Sequence, residues 1–436
     1  MQGPIDPDRS ESVFADKKPA LSAAAARAEA NRCLYCYDAP CIQACPTSIN
    51  IPEFIRKIAT DNVRGSARTI LEANILGQSC ARVCPVEVLC VGACVYNDKH
   101  EPPIQIGKLQ RYATDAIVDR GERLFTAAPD TGKTVAIIGG GPAGLACAHE
   151  LRRFGHRPTI FEKRSVLGGL NTTGIAPYKL RADASIAEVD YVLGIGGIEV
   201  KTGVEVGKDV SLEELESKYD AVFFGAGLGA DSQLDIPNAE LEGIGGAVAF
   251  IEKMKLGRVD LSAVESAVVI GGGNTAIDVV RELRGLGIKR VTMLYRGEEA
   301  NMSAYQHEWE GAKLEGAYAE WRAVPVAYEG EGRVRAIRCV RTDEHKKPIA
   351  GTEYAIPADL VFLATGQSKL GQMLGALDGI ELKNGRVVTG KGGALGRKKW
   401  FAGGDAANGG KEVVNGVAEG RDAARAIHAM FTGGSK

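Results

Sequence analysis

Eight of the ten cysteines lie between positions 33 and 94, in two groups of four. The first group is Cys33, Cys36, Cys41 and Cys45, with Pro46 directly after it. The second group is Cys80, Cys84, Cys90 and Cys94, with Pro85 after Cys84. Thiolates are soft, charged ligands for iron, and this close spacing is typical of iron–sulfur ligation. Structural zinc usually shows two well-separated pairs, so the spacing favours two four-iron clusters over the alternative of a zinc site.

A glycine-rich loop follows the cysteine region. Thr134–Ile138 has the composition of a buried strand, and Gly139-x-Gly141-x-x-Gly144 comes directly after it, before a helical stretch. Glycines here permit a tight turn and the approach of backbone N–H groups to a pyrophosphate. Glu162 ends the next strand, 18 residues after the last glycine, where a carboxylate accepts hydrogen bonds from ribose. This context predicts a dinucleotide site formed by Gly139, Gly140, Gly141, Pro142, Ala143, Gly144 and Glu162.

A second strand–loop–helix unit begins about 130 residues further on. Ala267–Ile270 leads into Gly271-x-Gly273-x-x-Ala276, and Arg296 ends the following strand. The two units repeat a type of fold and not a stretch of sequence. Alternation of strand and helix predicts parallel sheets.

The elements that must hold these motifs differ between the two parts of the chain. Before Thr134 there is no strand pattern, and short helices are predicted at Ala20–Asn31, Ile51–Thr60 and Ser66–Leu76, with Gly65 as a break. Residues 1–19 are predicted to be an extended or poorly ordered arm. A strand meander at Arg333–Val340 and Thr352–Ile356 precedes the strand Leu360–Ala364. The predicted fold class is therefore α/β, with an all-α iron–sulfur domain at the N-terminus and two Rossmann-like domains after it.

Composition excludes several classes of function. The chain has 436 residues, enough for two to four domains. Its net charge of −2 indicates neither a nucleic-acid partner nor an anionic membrane. No apolar run of membrane-spanning length exists, and the polar N-terminus lacks an apolar signal core. We therefore expect a cytoplasmic protein, in which clustered thiols bind metal or do redox chemistry and do not form disulfides.

The cysteine region resembles the N-terminal module of dihydropyrimidine dehydrogenases. The resemblance is carried by segments 33–41, 45–47, 51–55, 82–85, 90–94 and 104–113. It implies one [4Fe-4S] cluster held by Cys33, Cys36, Cys41 and Cys94. It implies a second held by Cys45, Cys84, Cys90 and Gln110. Cys80 is then not a ligand, and we expect it to be a small buried hydrophobic residue. Its alternative role is to replace Gln110 as a ligand.

The same resemblance implies a split FAD site. The segment 400–405 is similar to the second flavin fingerprint of two-dinucleotide flavoproteins, and Gly169, Leu170 and Lys179 match the flavin-contacting segment. Gly404 belongs to this fingerprint, and Asp405 is expected to bind the ribityl chain. The helix that begins near Val413 is expected to direct its N-terminus at the pyrophosphate or flavin.

The second loop resembles the nicotinamide loop of the same family. The implied contacts are Gly272, Gly273, Asn274, Thr275 and Arg296, with Ala364, Thr365 and Gly366 where the chain returns to the flavin domain. The resulting domains are 1–126 for the clusters, 127–240 and 367–436 for FAD, and 241–366 for the nicotinamide. Gly297, Glu298, Glu299 and Ser303 stand where NADPH-specific relatives place basic residues for the 2′-phosphate. This favours NADH over NADPH, although a solvated turn would also explain the two acids.

The resemblance implies the electron-input subunit of an NAD-dependent dihydropyrimidine dehydrogenase, with no side chain acting as a general acid. The chain ends about 30 residues after Asp405, so we expect the FMN-containing barrel on a separate partner. The glutamate synthase small subunit, or a related electron-bifurcating oxidoreductase subunit, is the alternative enzyme. A non-catalytic sensing module is a third alternative, and the intact Gly271, Gly273 and Arg296 argue against it.

Overall fold

The computed structural model describes residues 5–433. Six helices precede the first strand, and no strand lies between residue 5 and Thr134. They are α1 (Ala23–Asn31), α2 (Pro40–Gln43), α3 (Ile51–Ala59), α4 (Val63–Ala73), α5 (Gly77–Val83) and α6 (Ile106–Val118). The loops between them carry most of the clustered cysteines, so this all-α unit positions the thiols.

Local sequence explains where these helices begin. Ser22 caps α1 by accepting a hydrogen bond from Ala25 N. The prediction that Gly65 breaks a helix was wrong, because Gly65 lies in the first turn of α4. Its amide donates to Asn62 Oδ1 at 2.9 Å, and a Cβ at position 65 would lie 2.6 Å from the Asn62 side chain. A side chain at position 65 would therefore force Asn62 to shift from this capping position.

The N-terminal arm is ordered and packed over the residues described, which corrects the prediction of a poorly ordered segment; residues 1–4 lie outside the described residues. Ser10–Val13 forms a 3₁₀ turn, and Glu11 is completely buried. The Glu11 carboxylate accepts a hydrogen bond from Ala182 N at 3.0 Å. Lys17 N donates to Tyr178 O at 2.9 Å. A buried carboxylate with backbone partners is invisible in a polar sequence pattern, which is why the arm was misread.

The first dinucleotide unit follows the helical region. Its elements are β1 (Thr134–Ile138), α7 (Pro142–Arg153), β2 (Arg157–Glu162), α8 (Leu170–Thr173), α9 (Ala182–Leu193), β3 (Glu199–Thr202), α10 (Leu212–Lys218), β4 (Ala221–Phe224) and β5 (Leu228–Asp231). The second unit begins after β5. Its elements are β6 (Ile244–Gly246), α11 (Ala247–Leu256), β7 (Ser266–Ile270), α12 (Asn274–Gly285), β8 (Arg290–Tyr295), α13 (Gln306–Leu314), β9 (Tyr318–Trp321), β10 (Ala323–Glu331), β11 (Arg333–Arg341), β12 (Tyr354–Pro357) and β13 (Leu360–Leu363).

The last segment returns to the first unit. Its elements are β14 (Gln367–Lys369), β15 (Leu382–Lys383), β16 (Arg386–Val387), β17 (Trp400–Ala402), α14 (Asp405–Asn408) and α15 (Val413–Thr432). β17 pairs in parallel with β4, with Trp400 opposite Val222. The first sheet has the strand order β17-β4-β1-β2-β3, so it is completed from the far end of the chain.

The second sheet has the order β6-β13-β7-β8-β9. Its neighbouring strands are parallel throughout, as the alternating pattern predicts. Its strands lie wholly between β4 and β17 in the chain. The strands β10, β11 and β12 of the same unit form a separate antiparallel sheet. Sequence reasoning missed β10, because its alternating pattern is interrupted by Pro325 and by a register shift between Pro325 and Ala327.

Helix α15 packs directly on α7, and glycine makes the contact possible. A Cβ at Gly420 would lie 2.0 Å from Ala143 O. A Cβ at Gly416, one turn earlier in the same helix, would have no neighbour nearer than 3.9 Å. Only Gly420 is therefore required for the approach of the two helices.

We expect Gly420→Ala to lower the free energy of unfolding by about 1–3 kcal/mol, because the helices must move apart. Gly416→Ala is the matched control, and we expect it to gain about 0.5–1 kcal/mol from reduced backbone entropy in the unfolded chain. Urea denaturation of the cofactor-free protein, followed by circular dichroism, measures both. Equal stability of the two variants would contradict the proposed contact.

Candidate functional site

The loop between β1 and α7 contains one glycine that close packing does not require. A Cβ at Gly139 would lie 2.5 Å from Gly225 O, and one at Gly144 would lie 2.0 Å from Gly139 O. These two glycines let strand and helix approach each other. A Cβ at Gly141 would be 3.7 Å from its nearest neighbour, Gly169 Cα. The space above Gly141, at the N-terminus of α7, fits a pyrophosphate.

Glu162 is fixed by the loop beside it. Its Oε2 accepts from Gly140 N at 2.9 Å, and its Oε1 accepts from Arg164 N at 2.9 Å. The residue is 7% exposed. Each carboxylate oxygen keeps a further lone pair, so Glu162 can hold the loop and accept from a ribose hydroxyl at once.

A cavity of about 520 Å³ brings together motifs from both ends of the chain. The predicted cofactor residues on its wall are Gly139, Gly141, Pro142, Ala143, Glu162, Gly169, Leu170, Lys179, Asn274, Gly404, Asp405 and Val413. The predicted residues that do not line it are Gly140, Gly144, Gly272, Gly273, Thr275, Arg296, Ala364, Thr365 and Gly366. Most of the predicted flavin contacts therefore converge on one cavity, and the nicotinamide contacts reach it through Asn274.

Asp405 lies on the cavity wall at the start of α14, three residues beyond the end of β17. Burial, reinforced by the Glu419 carboxyl, raises the pKa of Asp405 to about 6. Glu419 accepts from Gly404 N at 2.6 Å, which fixes the turn that presents Asp405. Hydroxyl donors from a ribityl chain would favour the charged form of Asp405 and offset its burial.

Lys179 belongs to a charged network that sequence reasoning missed. Its Nζ lies 2.8 Å from Asp278 Oδ1 and 3.3 Å from Glu308 Oε1. Lys17 Nζ is 2.8 Å from Glu308 Oε2. Burial opposes the ionised carboxylate, but the two lysines lower the pKa of Glu308 to about 2. Asp278 could have been found, because it follows Asn274 by four positions on one face of α12.

The second glycine loop repeats the geometry of the first. A Cβ at Gly271 would lie 2.5 Å from Ala364 O, whereas a Cβ at Gly273 would be 3.6 Å from Ser303 Oγ. Asn274 Oδ1 accepts from Tyr305 N at 2.9 Å, which holds the end of the loop. The open position at Gly273 fits a second pyrophosphate.

The segment 364–366 connects the two sheets. Ser232 N donates to Gly366 O at 2.9 Å. Thr365 Oγ1 donates to Ser232 O at 3.4 Å. These bonds tie the returning chain to the segment after β5. Arg296 is exposed at the end of β8, outside the large cavity.

The first four predicted cluster ligands surround a small cavity of about 30 Å³. Its wall includes Cys33, Cys36, Cys41 and Cys94, so it joins three thiols of the first group to the last of the second. Burial, with the neighbouring Cys33 and Cys94, raises the pKa of the Cys41 thiol to about 12. Thiols from both sequence groups therefore meet around one cavity.

The other predicted ligands lie around Cys84. Hydrogen bonding to Cys80, then burial and the nearby Cys90 and Cys45, raise the pKa of the Cys84 thiol well above its ordinary value. Gln110 is buried on α6, and its Nε2 donates to Gly77 O at 2.7 Å. Gly77 begins α5, the helix that carries Cys80. Both candidates for the fourth ligand are thus attached to this helix.

All ten cysteines are free thiols. Within residues 5–433, no three His, Cys, Asp or Glu side chains converge closely enough to hold a single metal ion. Zinc requires four ligand atoms at about 2.0–2.3 Å from one centre. Thiols spread around a larger volume fit a cluster better.

Cys84 also lines the large cavity, together with Lys18, Arg82, Val83 and Pro85. Lys18 Nζ donates to Cys84 O at 3.4 Å. One wall of the flavin-motif cavity is therefore formed by a predicted cluster ligand. Cys33, Cys36, Cys41 and Cys94 are not on that wall.

Glu188 of α9 holds the cysteine-bearing helix against the first dinucleotide unit. It accepts from Gln78 N at 2.7 Å, from Ser79 N at 3.1 Å and from Ser79 Oγ. Burial raises the pKa of Glu188 to about 7, although these donors oppose the rise. Helical periodicity could have identified Glu188, because this residue lies between Ser185 and Tyr191 on the buried face of α9.

The fold and the sites define a pyridine-nucleotide-dependent flavoprotein with an iron–sulfur module. Residues 133–420 match the pyridine nucleotide-disulphide oxidoreductase family, and this chain belongs to it. Residues 9–122 match the dihydropyrimidine dehydrogenase domain II, 4Fe-4S cluster, family. The predicted fold class, the iron–sulfur and flavin cofactors and the class of NAD(P)H-dependent oxidoreductase are confirmed.

Two relatives extend over nearly the whole chain. The NAD-dependent dihydropyrimidine dehydrogenase subunit PreT of Escherichia coli (strain K12) is 37% identical over 418 residues, covering 95% of this chain and 96% of that protein. The glutamate synthase [NADPH] small chain of the same organism is 35% identical over 429 residues, covering 92% and 90%. The resemblance predicted from the motifs is therefore confirmed.

Solved structures share the fold. FprA from Mycobacterium tuberculosis (His57Gln mutant) has a TM-score of 0.56 at 20% identity, covering 71% of this chain and 87% of that one. Thioredoxin reductase of T. acidophilum has a TM-score of 0.56 at 18% identity, covering 68% and 98%. In the described part of this chain, no helix is long and apolar enough to cross a membrane.

We expect Glu162→Ala to weaken FAD binding by about 1.5–3 kcal/mol, roughly 10- to 100-fold in Kd, because a charged acceptor for the loop and the ribose is lost. Quenching of flavin fluorescence during titration of the cofactor-free protein measures the Kd. Glu213→Ala, at an exposed position of α10, is the control. An unchanged Kd for Glu162→Ala would contradict the role given to this carboxylate.

Proposed function

We propose that this chain is the electron-input subunit of a dihydropyrimidine dehydrogenase. In this proposal it oxidises NADH and delivers single electrons, through two [4Fe-4S] clusters, to a separate FMN-containing subunit that reduces uracil or thymine. Bound FAD would supply the exchange between paired and single electrons. The observation that carries the proposal is the shared wall of the large cavity, where Cys84 lies beside flavin motifs.

The chain's own residues would bind and orient the cofactors. Gly141, with the N-terminus of α7, would hold the FAD pyrophosphate, Glu162 the ribose and Asp405 the ribityl chain. Asn274 and the open backbone at Gly273 would hold the nicotinamide nucleotide. The domains proposed are 1–126, 127–240 with 367–436, and 241–366. The insertion of the second sheet between β4 and β17 supports this division.

The proposed ligands are Cys33, Cys36, Cys41 and Cys94 for one cluster and Cys45, Cys84, Cys90 and Gln110 for the other. The cavity shared by the first four thiols supports the first set. The proximity of Cys45 and Cys90 to Cys84 supports three members of the second. Cys41 also lies near Cys90, so the two sets adjoin. Electrons would therefore pass from the cavity to the Cys84 set and then to the Cys33 set.

We also propose a cytoplasmic location, where thiols stay reduced.

The choice of partner rests on the motifs of the first cysteine group. Tyr37-Asp38-Ala39-Pro40 and Thr47–Ile51 resemble the pyrimidine branch of the family. PreT is named as a subunit, which supports a separate partner chain. The 35% identity to the glutamate synthase small chain supports a second candidate function, in which the partner is a glutamate-forming large chain.

Cluster content is the first test. We expect about eight irons and eight acid-labile sulfides per anaerobically purified chain, the sum of two four-iron clusters. Cys41→Ala should lose about half of both, because one cluster loses a ligand. Iron and sulfide assays with electron paramagnetic resonance measure the outcome.

Cys80→Ala is the matched control for that experiment, and we expect it to keep both clusters. Loss of one cluster in this variant would show that Cys80 replaces Gln110 as a ligand. One bound zinc without sulfide in the unmodified chain would refute the cluster proposal altogether.

Division of labour between subunits is the second test. The chain alone should oxidise NADH with an artificial acceptor but should not convert uracil to dihydrouracil. Addition of the FMN-containing subunit should restore pyrimidine reduction, and Cys45→Ala should abolish it because a cluster ligand is lost. Cys339→Ala, in the buried core of β11, is the control with an equally small change.

Two results would redirect this proposal. Reduction of uracil by the chain alone would remove the need for a partner. Formation of glutamate with a glutamate synthase large chain, and no pyrimidine reduction with the FMN subunit, would establish the second candidate instead.

A further inference from the structure

Two basic residues that are 50 positions apart in sequence lie beside the same glycine at the end of β8. Arg296 precedes Gly297, and a Cβ at Gly297 would lie 3.2 Å from Lys346 Cε. Lys346 belongs to the connection between β11 and β12. The absence of a side chain at position 297 therefore makes room for the stem of Lys346 beside the second dinucleotide loop.

The connection that carries Lys346 is fixed in place. Asp343 Oδ1 accepts from His345 N at 2.9 Å and from Lys347 N at 2.8 Å. Lys346 N donates to Asp343 O at 3.0 Å, and Lys346 has a positive φ of 63°. An Asx-type turn thus holds the backbone of Lys346 in a defined conformation.

Backbone hydrogen bonds attach this connection to the end of β8. Thr342 Oγ1 donates to Arg296 O at 2.8 Å. Arg322 N donates to Gly297 O, and Thr342 N donates to Arg322 O. The backbone that carries Lys346 is consequently held beside the backbone of Arg296 by the fold.

The nearby acids are already neutralised. Glu298 forms an ion pair with Arg322, and Glu299 pairs with Lys313 at 2.8 Å. Neither Arg296 nor Lys346 pairs with a carboxylate in the part of the chain that the structure describes. Lys346 instead has its Nζ 5.8 Å from the centre of the Tyr295 ring. Two cations without anionic partners therefore flank the end of β8.

The end of the second strand is where a Rossmann-like unit contacts the adenosine ribose. Tyr295 marks this position, because its ring would be 2.5 Å from a Cβ at Gly272 in the loop. A phosphate on the ribose 2′-oxygen is a dianion, which charge-assisted hydrogen bonds from Arg and Lys stabilise. Arg296 and Lys346 supply such donors at this end of the sheet.

We propose that Arg296 and Lys346 together form a binding site for the 2′-phosphate of NADPH, so that the chain uses NADPH as well as NADH. The proposal rests on the nicotinamide site of the proposed function. It assigns to Lys346 the role of the second basic residue, which residues 297–303 do not supply. The preference for NADH expected from Glu298 and Glu299 is reduced, because both carboxylates are paired.

Binding of nucleotide fragments tests this site without any reaction. Isothermal titration of the purified chain with 2′,5′-ADP and with 5′-AMP gives the ratio of the two affinities. We expect Lys346→Gln to lower the preference for 2′,5′-ADP about tenfold, because one charged contact is lost. Lys346→Arg should retain it. Lys347→Gln, at an adjacent exposed position, is the matched control and should leave the ratio unchanged.

Steady-state rates with an artificial acceptor provide the second measurement on the flavin-loaded protein. We expect the ratio of kcat/KM for NADPH to that for NADH to fall about tenfold in Lys346→Gln and to be unchanged in Lys347→Gln. Unchanged ratios in Lys346→Gln, in a protein that still oxidises NADH, would overturn the assignment and show that Lys346 only packs on Tyr295. Oxidation of neither nucleotide by the unmodified chain would refute the proposed function itself.

Discussion

The buried carboxylate of Glu188 fixes the relation between the thiols and the large cavity. Helix α5 begins with backbone N–H groups that have no partner within the helix, and Glu188 accepts from two of them. The helix ends at Val83, so Cys84 follows it directly onto the cavity wall. A shift of α5 would move Cys84 and separate the cysteine region from the flavin motifs. This interdomain cap, together with the bonds from Arg421 to Thr47 O and Ala73 O, thereby couples the all-α unit to the α/β unit.

A second set of buried charges positions the inserted unit. Lys179 belongs to the first unit, whereas Asp278 and Glu308 belong to the second, and Lys17 reaches the same carboxylate from the arm. Lys255 adds a fully buried ammonium that donates to three backbone carbonyls; burial lowers its pKa to about 8. Buried ion pairs often add little net stability, because desolvation offsets their attraction. Each buried charge nevertheless needs a particular partner, so these pairs favour a single arrangement of the two units.

The sequence predicted those features that depend on local backbone. Glycine loops after strands and closely spaced cysteines have few physical explanations, so Gly141 and Cys84 could be placed before the fold was known. Glu11 could not be placed, because its hydrogen-bond donor, Ala182 N, is distant in sequence and only tertiary packing buries the pair. Lys346 was missed for the same reason: residues 297–303 contain no base, and the turn that supplies one comes from the meander. Long-range contacts, and not the individual elements, limited the prediction.

The two glycine loops are nearly equivalent, so they cannot by themselves choose their nucleotides. A Cβ at Gly139 or at Gly271 would lie 2.5 Å from a backbone oxygen, whereas a Cβ at Gly141 or at Gly273 would have no neighbour nearer than 3.6 Å. Selection must therefore come from groups outside the loops. Around the first loop these groups are carboxylates, Glu162 and Asp405, which suit hydroxyl-rich ribose and ribityl chains. At the end of the strand after the second loop the unpaired groups are cations, Arg296 and Lys346, which suit a phosphate. In the proposed assignment, the same backbone device would acquire two specificities from charges that the rest of the fold brings to it.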